Sequence, residues 1–332
     1  MKGLRFLIPM MFFHLSLGAD EYVLKMCAIA PEGTRWSQYG YLYKERVEKK
    51  TGGRVKVKWY LGGIMGDEPS EVRKMMLNQL QGCGFTLVGL GIIAKEVKLL
   101  ELPFLFEDYD EKDYVLSELT PHFKKIFEER GFVLAGWLEV GFVRFFSIKP
   151  LKTISDLKNA KMWTWAGDEL AVSALSKFGL SSIIPLQLTD VLSSIQTGII
   201  DALYAPCYAG ISLQWVPKMK YIADWHFAYT PAGIVFTKKA IDSLPPDLRK
   251  IVLEEWNDIL PQMSRDLRED EIKACEAIVE GGLIPVKFDQ IDLKKLKDLS
   301  IEVHKKFAEV LYPGWLLEKT YEKREEFRAK KR

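Results

Sequence analysis

The sequence predicts an α/β protein of two lobes that face each other across a cleft. Three observations lead there. The chain has 332 residues, 48% of them hydrophobic and 28% charged, which is a globular composition too long for most single cores. Strand-like and helix-like segments alternate along it, the pattern of a parallel sheet covered by helices. The alternation restarts midway, so a second unit of the same kind follows the first.

The first unit opens with "EYVLKMCAIA", which reads as a strand. "TRWSQYGYLYKERVEKKTGG" is an amphipathic helix, stopped where Gly52 and Gly53 suit a helix end. "RVKVKWYLG" alternates and reads as a second strand. "EPSEVRKMMLNQLQGCG" predicts a helix, "FTLVGLG" a short buried strand and "LPFLF" a loop with apolar anchors. "ELTPHFKKIFEERG" is a helix and "FVLAGWLEVG" a strand.

In the second unit, "RFFSIKPLKTISDLKNAKMWTW" predicts two strands around a short helix at Ile154–Asn159. "DELAVSALSKFGL" is a helix and "SSIIPLQ" a strand. "LTDVLSSIQTG" is a helix capped by Thr189 or Asp190 and stopped by Gly198, and "IIDALYAP" is the next strand. "YIADWHF" and "AGIVFTKKAIDSL" follow. A long helical stretch then opens at Pro245–Pro246, and Pro261 inside it should kink or break it. Further helices close the chain.

The N-terminus has the layout of a signal peptide: Lys2 and Arg5, then the apolar run "FLIPMMFFHLSLG", then small residues. Cleavage is expected after Gly18 or Ala19, with no cysteine for a lipid anchor. No later segment approaches a membrane-spanning length. The four cysteines form no C-x-x-C pair; export permits a disulfide, and most are expected as buried thiols. Net charge is +2, with no basic stripe carrying interleaved aromatics, so no nucleic-acid partner is expected. The basic end "EKREEFRAKKR" reads as a solvated, partly helical tail.

Catalytic equipment is missing from the pattern. His14, His122, His226 and His304 are scattered, without metal-ligand spacing. There is no nucleophile elbow and no phosphate loop. Asp201 is the one catalytic candidate, and it has no partner; its ordinary role at a strand end is to bond backbone. A binder without cofactor is the expectation. In open α/β sheets a ligand sits beyond the C-terminal ends of the strands. That places the site after "LKMCA", "FTLVG", "KMWTW" and "IIDALYA".

Five segments, in order, carry a resemblance. "EKKTGGRVKVKWYLGGIMGD", "LELPFLFED", "IKPLKTISDLKNAKMW", "SSIQTGIIDALYAP" and "IDSLPPDLRKIVLEEW" resemble the DctP-like substrate-binding proteins of tripartite ATP-independent periplasmic (TRAP) transporters. The resemblance implies a flytrap: a two-lobe periplasmic binding protein fold with a long helix crossing between lobes. It implies no chemistry, a periplasmic location, and delivery of a ligand to TRAP membrane subunits. With the expected break at Pro261, it divides the chain into a signal peptide at 1–19, lobe one at 20–142 plus 228–267, and lobe two at 143–227 plus 268–332.

The departures bear on the ligand. The family's arginine that clamps a ligand carboxylate falls at Trp163. Its site asparagine falls at Ala205, with Tyr204 at the neighbouring acidic position, and Gly89 stands where sialic-acid binders carry glutamate. Arg144 lies near the family's other arginine. Trp163 and Trp165, two apart on a strand, face one side. The expected ligand-binding set is Trp36, Phe85, Gly89, Phe142, Arg144, Trp163, Trp165, Tyr204, Ala205 and Tyr208. It describes a cavity for an apolar or amphipathic ligand, such as a lipid-like monocarboxylate, rather than a C4-dicarboxylate or sialic acid. The resemblance extends to a branch that lacks the clamp and works with a periplasmic tetratricopeptide-repeat protein. The alternatives are a small organic acid held by Arg144 and, remotely, a secreted enzyme using Asp201.

Overall fold

A computed structural model describes residues 21–331; the expected signal peptide lies outside the described residues. The elements are, in order, β1 (Tyr22–Ala28), α1 (Arg35–Lys50), β2 (Val55–Tyr60), α2 (Glu68–Met76), β3 (Gly82–Thr86), α3 (Leu87–Ile93), α4 (Tyr109–Glu129) and β4 (Phe132–Ser147). Then come α5 (Ile154–Lys158), β5 (Lys161–Trp165), α6 (Glu169–Lys177), β6 (Ser182–Leu186), α7 (Val191–Gln196), β7 (Ala202–Ala205), α8 (Cys207–Ser212), β8 (Tyr221–Ala223) and β9 (Ala228–Thr237). The chain ends with α9 (Lys238–Asp242), α10 (Pro246–Glu280), β10 (Ile284–Val286), α11 (Gln290–Phe307) and α12 (Gly314–Lys331).

The strand order is β2-β1-β3-β9-β4-β7-β5-β6, with β8 beside β4 and β10 beside β8. The first lobe is not purely parallel, as the alternation alone suggested. Its β1, β2 and β3 run parallel, but β9 returns from far along the chain and pairs antiparallel with β3 and β4. β4 belongs to both lobes. It pairs with β9 up to Val143↔Ala228 and with β7 from Arg144↔Ala205 onward.

Several local expectations needed correction. "RFFS" is no separate strand but the end of β4, which continues through an irregularity between Glu139 and Gly141, with Gly141 at φ 134°. In "FTLVGLG" the strand stops at Thr86, which caps α3 by accepting from the Val88 N–H. A short apolar run carries too few residues to separate strand from helix. Neither Thr189 nor Asp190 caps the helix before Gly198 through its side chain; a short 3₁₀ turn at Leu188–Asp190 leads into α7. The stop at Gly52 and Gly53 appears as expected, both in the left-handed region.

Pro261 does not break α10, which runs for 35 residues. The proline removes one backbone bond, a cost of about 3 kcal/mol in a helix interior. Against that stands a buried stripe on both sides of it, including Val252, Trp256, Ile259, Met263 and Leu267. Trp256 stacks on Tyr43 of α1 at 4.3 Å. Burying such side chains contributes about 1.5–3 kcal/mol each, so packing outweighs the lost bond. At its other end α10 packs on α8. The last helix, α12, lies on α4, with Arg328 on Glu111 at 2.6 Å. It therefore docks on a helix from the first half of the chain, far from it in sequence.

The cysteines are not free thiols. Cys27 pairs with Cys83 and Cys207 with Cys275. The first bond follows from register, because β1 and β3 set Cys27 opposite Cys83. The second ties α8 to α10. Replacing Cys207 and Cys275 together by serine should lower stability by about 2–4 kcal/mol, read as a shift of the denaturant midpoint. An unchanged midpoint would show that α8 is held to α10 by packing alone.

Candidate functional site

A cavity of about 170 Å³ lies between the lobes. It sits where the strand-end rule places a ligand. Ala28 follows β1, Thr86 ends β3, Trp165 ends β5 and Ala205 ends β7, and all four line it. Leu138 and Val140 of β4 with Thr230 and Ala232 of β9 form another wall. α10 contributes Trp256 and Met263.

Of the residues expected in the site, Trp36, Phe85, Trp165, Tyr204 and Ala205 line this cavity. The other five stand outside its wall. Trp163 backs it: buried, it packs on Tyr204 at 5.3 Å, Trp215 at 5.2 Å and Trp165 at 6.1 Å. Tyr208 supports Trp36 edge-on at 4.8 Å, and its hydroxyl accepts the Arg35 N–H at 2.7 Å. Gly89 donates its N–H to Glu68 at 2.6 Å, and a Cβ there would meet the Phe85 ring at 2.7 Å. Phe142 packs on Tyr109 and His226, at 4.9 and 4.4 Å. Arg144 follows Val143, which lines the cavity; strand alternation turns Arg144 the other way, and its Nη1 donates to the Ala223 carbonyl at 3.1 Å. Arg144 is therefore not on the cavity wall.

Asp201 bonds backbone: its Oδ1 accepts the Lys161 N–H at 2.7 Å. It is not on the cavity wall, and the enzyme reading falls with it.

Pattern reading missed much of the wall. Trp59, Trp215 and Trp256 come from α/β segments distant in sequence and converge only in the fold. Glu101 opens the segment "ELPFLF", whose resemblance to the family could have pointed to it. Among the described residues, the charged ones on the wall are Glu68, Glu101 and Asp168, and no lysine, arginine or histidine lines it.

Each acid has a structural reason. Glu68, at the start of α2, accepts from the Thr86 N–H and hydroxyl, both at 2.8 Å, and from Gly89. It thus holds the β3–α3 turn. Burial nevertheless pushes its carboxyl up to about 7. Asp168 caps α6 and Glu101 precedes the Leu102 turn. Lys98 lies 3.3 Å from Asp168 and 3.5 Å from Glu101, so the pair with Asp168 joins the lobes. Asp67 makes a second link: its Oδ2 accepts from Trp165 Nε1 at 3.0 Å. These contacts describe a closed cleft.

One buried acid lacks such support. Glu71 is fully buried, and neither of its carboxylate oxygens has a hydrogen-bond partner. Burial, with Glu68 and Asp67 nearby, pushes it up to about 8. A carboxyl whose pKa is raised by folding binds its proton more tightly in the folded state. Its contribution is complete below the ordinary value near 4.5 and is lost as pH rises toward 8. Glu71→Gln should therefore stabilise the protein by about 2–3 kcal/mol at pH 8 and hardly at all at pH 5. Denaturant unfolding at the two pH values checks this; equal effects at both would refute it.

Comparison with known proteins agrees with this architecture. Residues 26–310 match the family described as bacterial extracellular solute-binding protein, family 7, or DctP. A solute-binding protein of Verminephrobacter eiseniae is 28% identical over 252 residues, 75% of this chain and 74% of that protein. The 2,3-diketo-L-gulonate-binding periplasmic protein YiaO of Escherichia coli is 24% identical over 246 residues, 73% and 74% of the two chains. A TRAP periplasmic solute-binding protein of Xanthobacter autotrophicus, solved with bound β-D-galacturonate, superposes with a TM-score of 0.84 at 16% identity, covering 91% of this chain and 99% of that one. The sugar-acid-binding protein of Advenella mimigardefordensis, in complex with galactonate, gives a TM-score of 0.86 at 16% identity, covering 92% and 99%. With the family matched along most of its length and the two-lobe fold shared, the chain belongs to the DctP family of extracellular solute-binding proteins: it is a substrate-binding protein of a TRAP transporter, which works with membrane subunits, and not an enzyme.

Proposed function

We propose that this protein works in the periplasm, captures a small apolar molecule in the inter-lobe cavity and hands it to its TRAP membrane subunits. The observation that carries the reading is the wall itself: mostly aromatic and aliphatic side chains, with three acids and, among the described residues, no basic one. Several structural relatives hold sugar acids, such as galacturonate and galactonate. Size does not argue against such a ligand here, but charge does. A carboxylate placed in this cavity would be desolvated without a cation to meet it, at a cost of several kcal/mol. Size does argue against a long lipid chain, because an apolar cavity of about 150 Å³ holds a molecule such as benzene. The ligand body is thus ring-sized, and the lipid-like acid expected from sequence gives way to it. A small organic acid held by Arg144 would need that guanidinium turned toward the cavity, away from Ala223.

The resemblance to the branch that lacks the clamp supports a periplasmic tetratricopeptide-repeat protein as a further partner. For the lobes we propose residues 20–142, 228–267 and 314–331 as one body and 143–227 with 268–313 as the other. The exchange of β4 from β9 to β7 at Val143 and Arg144 supports the first boundary, and the contact of α12 with α4 supports the last.

Calorimetric titration of ligand-stripped protein with indole and with galacturonate tests the ligand class. Indole should bind and galacturonate should not. Micromolar binding of galacturonate, about −8 kcal/mol, would overturn the reading. Closure is tested by small-angle scattering. Ligand should compact the wild-type protein, because bridging both lobes favours the closed state. Trp165→Phe, which keeps a ring but removes the donor to Asp67, should weaken binding by about 1 kcal/mol. No compaction of the wild type would rule out a flytrap.

A further inference from the structure

The aromatic wall ends at two carboxylates, one from each side of the cleft. Glu101 and Asp168 both line the cavity. A smaller void of about 20 Å³ adjoins this end and has Glu101, Val143, Asp168 and Tyr204 among its walls as well. A water-sized group needs about 10–15 Å³ measured in this way, so the void can take one. Lys98 faces both acids, but its ammonium makes no well-formed hydrogen bond and does not line either space. With both acids ionised, the three groups carry a net negative charge. With Glu101 protonated they are neutral. In neither state are they positive, and the remaining charged group on the wall, Glu68, is another acid.

An anionic head would therefore meet acceptors and no compensating charge. A donor would meet two carboxyl groups whose oxygens can accept, beside the Tyr204 ring. Hydrogen bonds to charged acceptors are the strong ones, and a cation gains further from an aromatic face. We propose that the ligand is a ring-sized apolar amine, its protonated nitrogen seated on the cavity side of Glu101 and Asp168, away from Lys98, and its body against the aromatic wall. This rests on the apolar-cavity reading above and adds the chemistry of the polar end.

The test uses three molecules with the same ring and different heads: phenethylamine, phenethyl alcohol and phenylacetate. Each is titrated by calorimetry into ligand-stripped full-length protein at neutral pH. The amine should bind about tenfold more tightly than the alcohol, as a charge-assisted bond implies, and phenylacetate should bind most weakly. Glu101→Gln, which keeps the size of the side chain, should weaken the amine about tenfold while moving the alcohol less than about threefold. The ranking on the wild-type protein decides the matter even if the variant fails to fold. Phenylacetate binding as tightly as the amine would overturn the proposal. So would an amine no tighter than the alcohol, in which case the apolar cavity would stand and only its cationic guest would fall. If none of the three binds, both readings fail together.

Discussion

The structure depends on one strand being shared. β4 is hydrogen-bonded to β9 along most of its length and to β7 along its last four residues. That single exchange creates two sheets, fixes the line between them and sets Val143 at the cavity. A strand that serves two sheets must be buried along nearly its whole length, and β4 is. It must also bend without losing its ladder, which the irregularity at Gly141 permits, since glycine tolerates a backbone angle that other residues resist. α10 then repeats the crossing on the outside, held to α1 by Trp256 and to α8 by the Cys207–Cys275 bond.

The closed cleft is held by groups that the protein itself supplies, whatever ligand it encloses. In a clamp, the ligand's own carboxylate bridges the lobes. Here the protein supplies the bridging groups. Lys98 and Asp168 face each other across the cleft, and Trp165 donates to Asp67. Both links join the two lobes, and both lie at the cavity rather than on open surface. Excluding water from them strengthens each, so the closed state gains from desolvation of its own bridging groups.

Buried acids at chain turns make up the second structural device. Glu68 collects three donors around the β3–α3 turn, and Glu271 on α10 accepts the N–H groups of Cys207 and Tyr208 at the start of α8. Burial pushes each carboxyl up to about 7 despite those bonds. The turns they hold lead directly into the cavity wall, at Thr86 and at Pro206. The walls of an otherwise apolar site are thus positioned by polar groups just behind them.

The sequence by itself determined the α/β alternation, the extent of α1 with its glycine stop, and the run of aromatic residues, Trp36, Phe85, Trp165 and Tyr204, that the fold brings to the cavity. These are local properties: periodicity, turn chemistry and residue type act within a few neighbours. Only the tertiary structure decided the rest. Whether "LVGLG" is strand or helix depended on Glu68, eighteen residues earlier. Whether Pro261 breaks α10 depended on burial against elements far along the chain. Which cysteines pair depended on strand register and helix packing. Which face Arg144 shows depended on the pleat of β4, where one residue's shift separates the cavity from its reverse side. A site built between two lobes is composed of contacts distant in sequence, and the energy that selects them is burial, which no local segment contains.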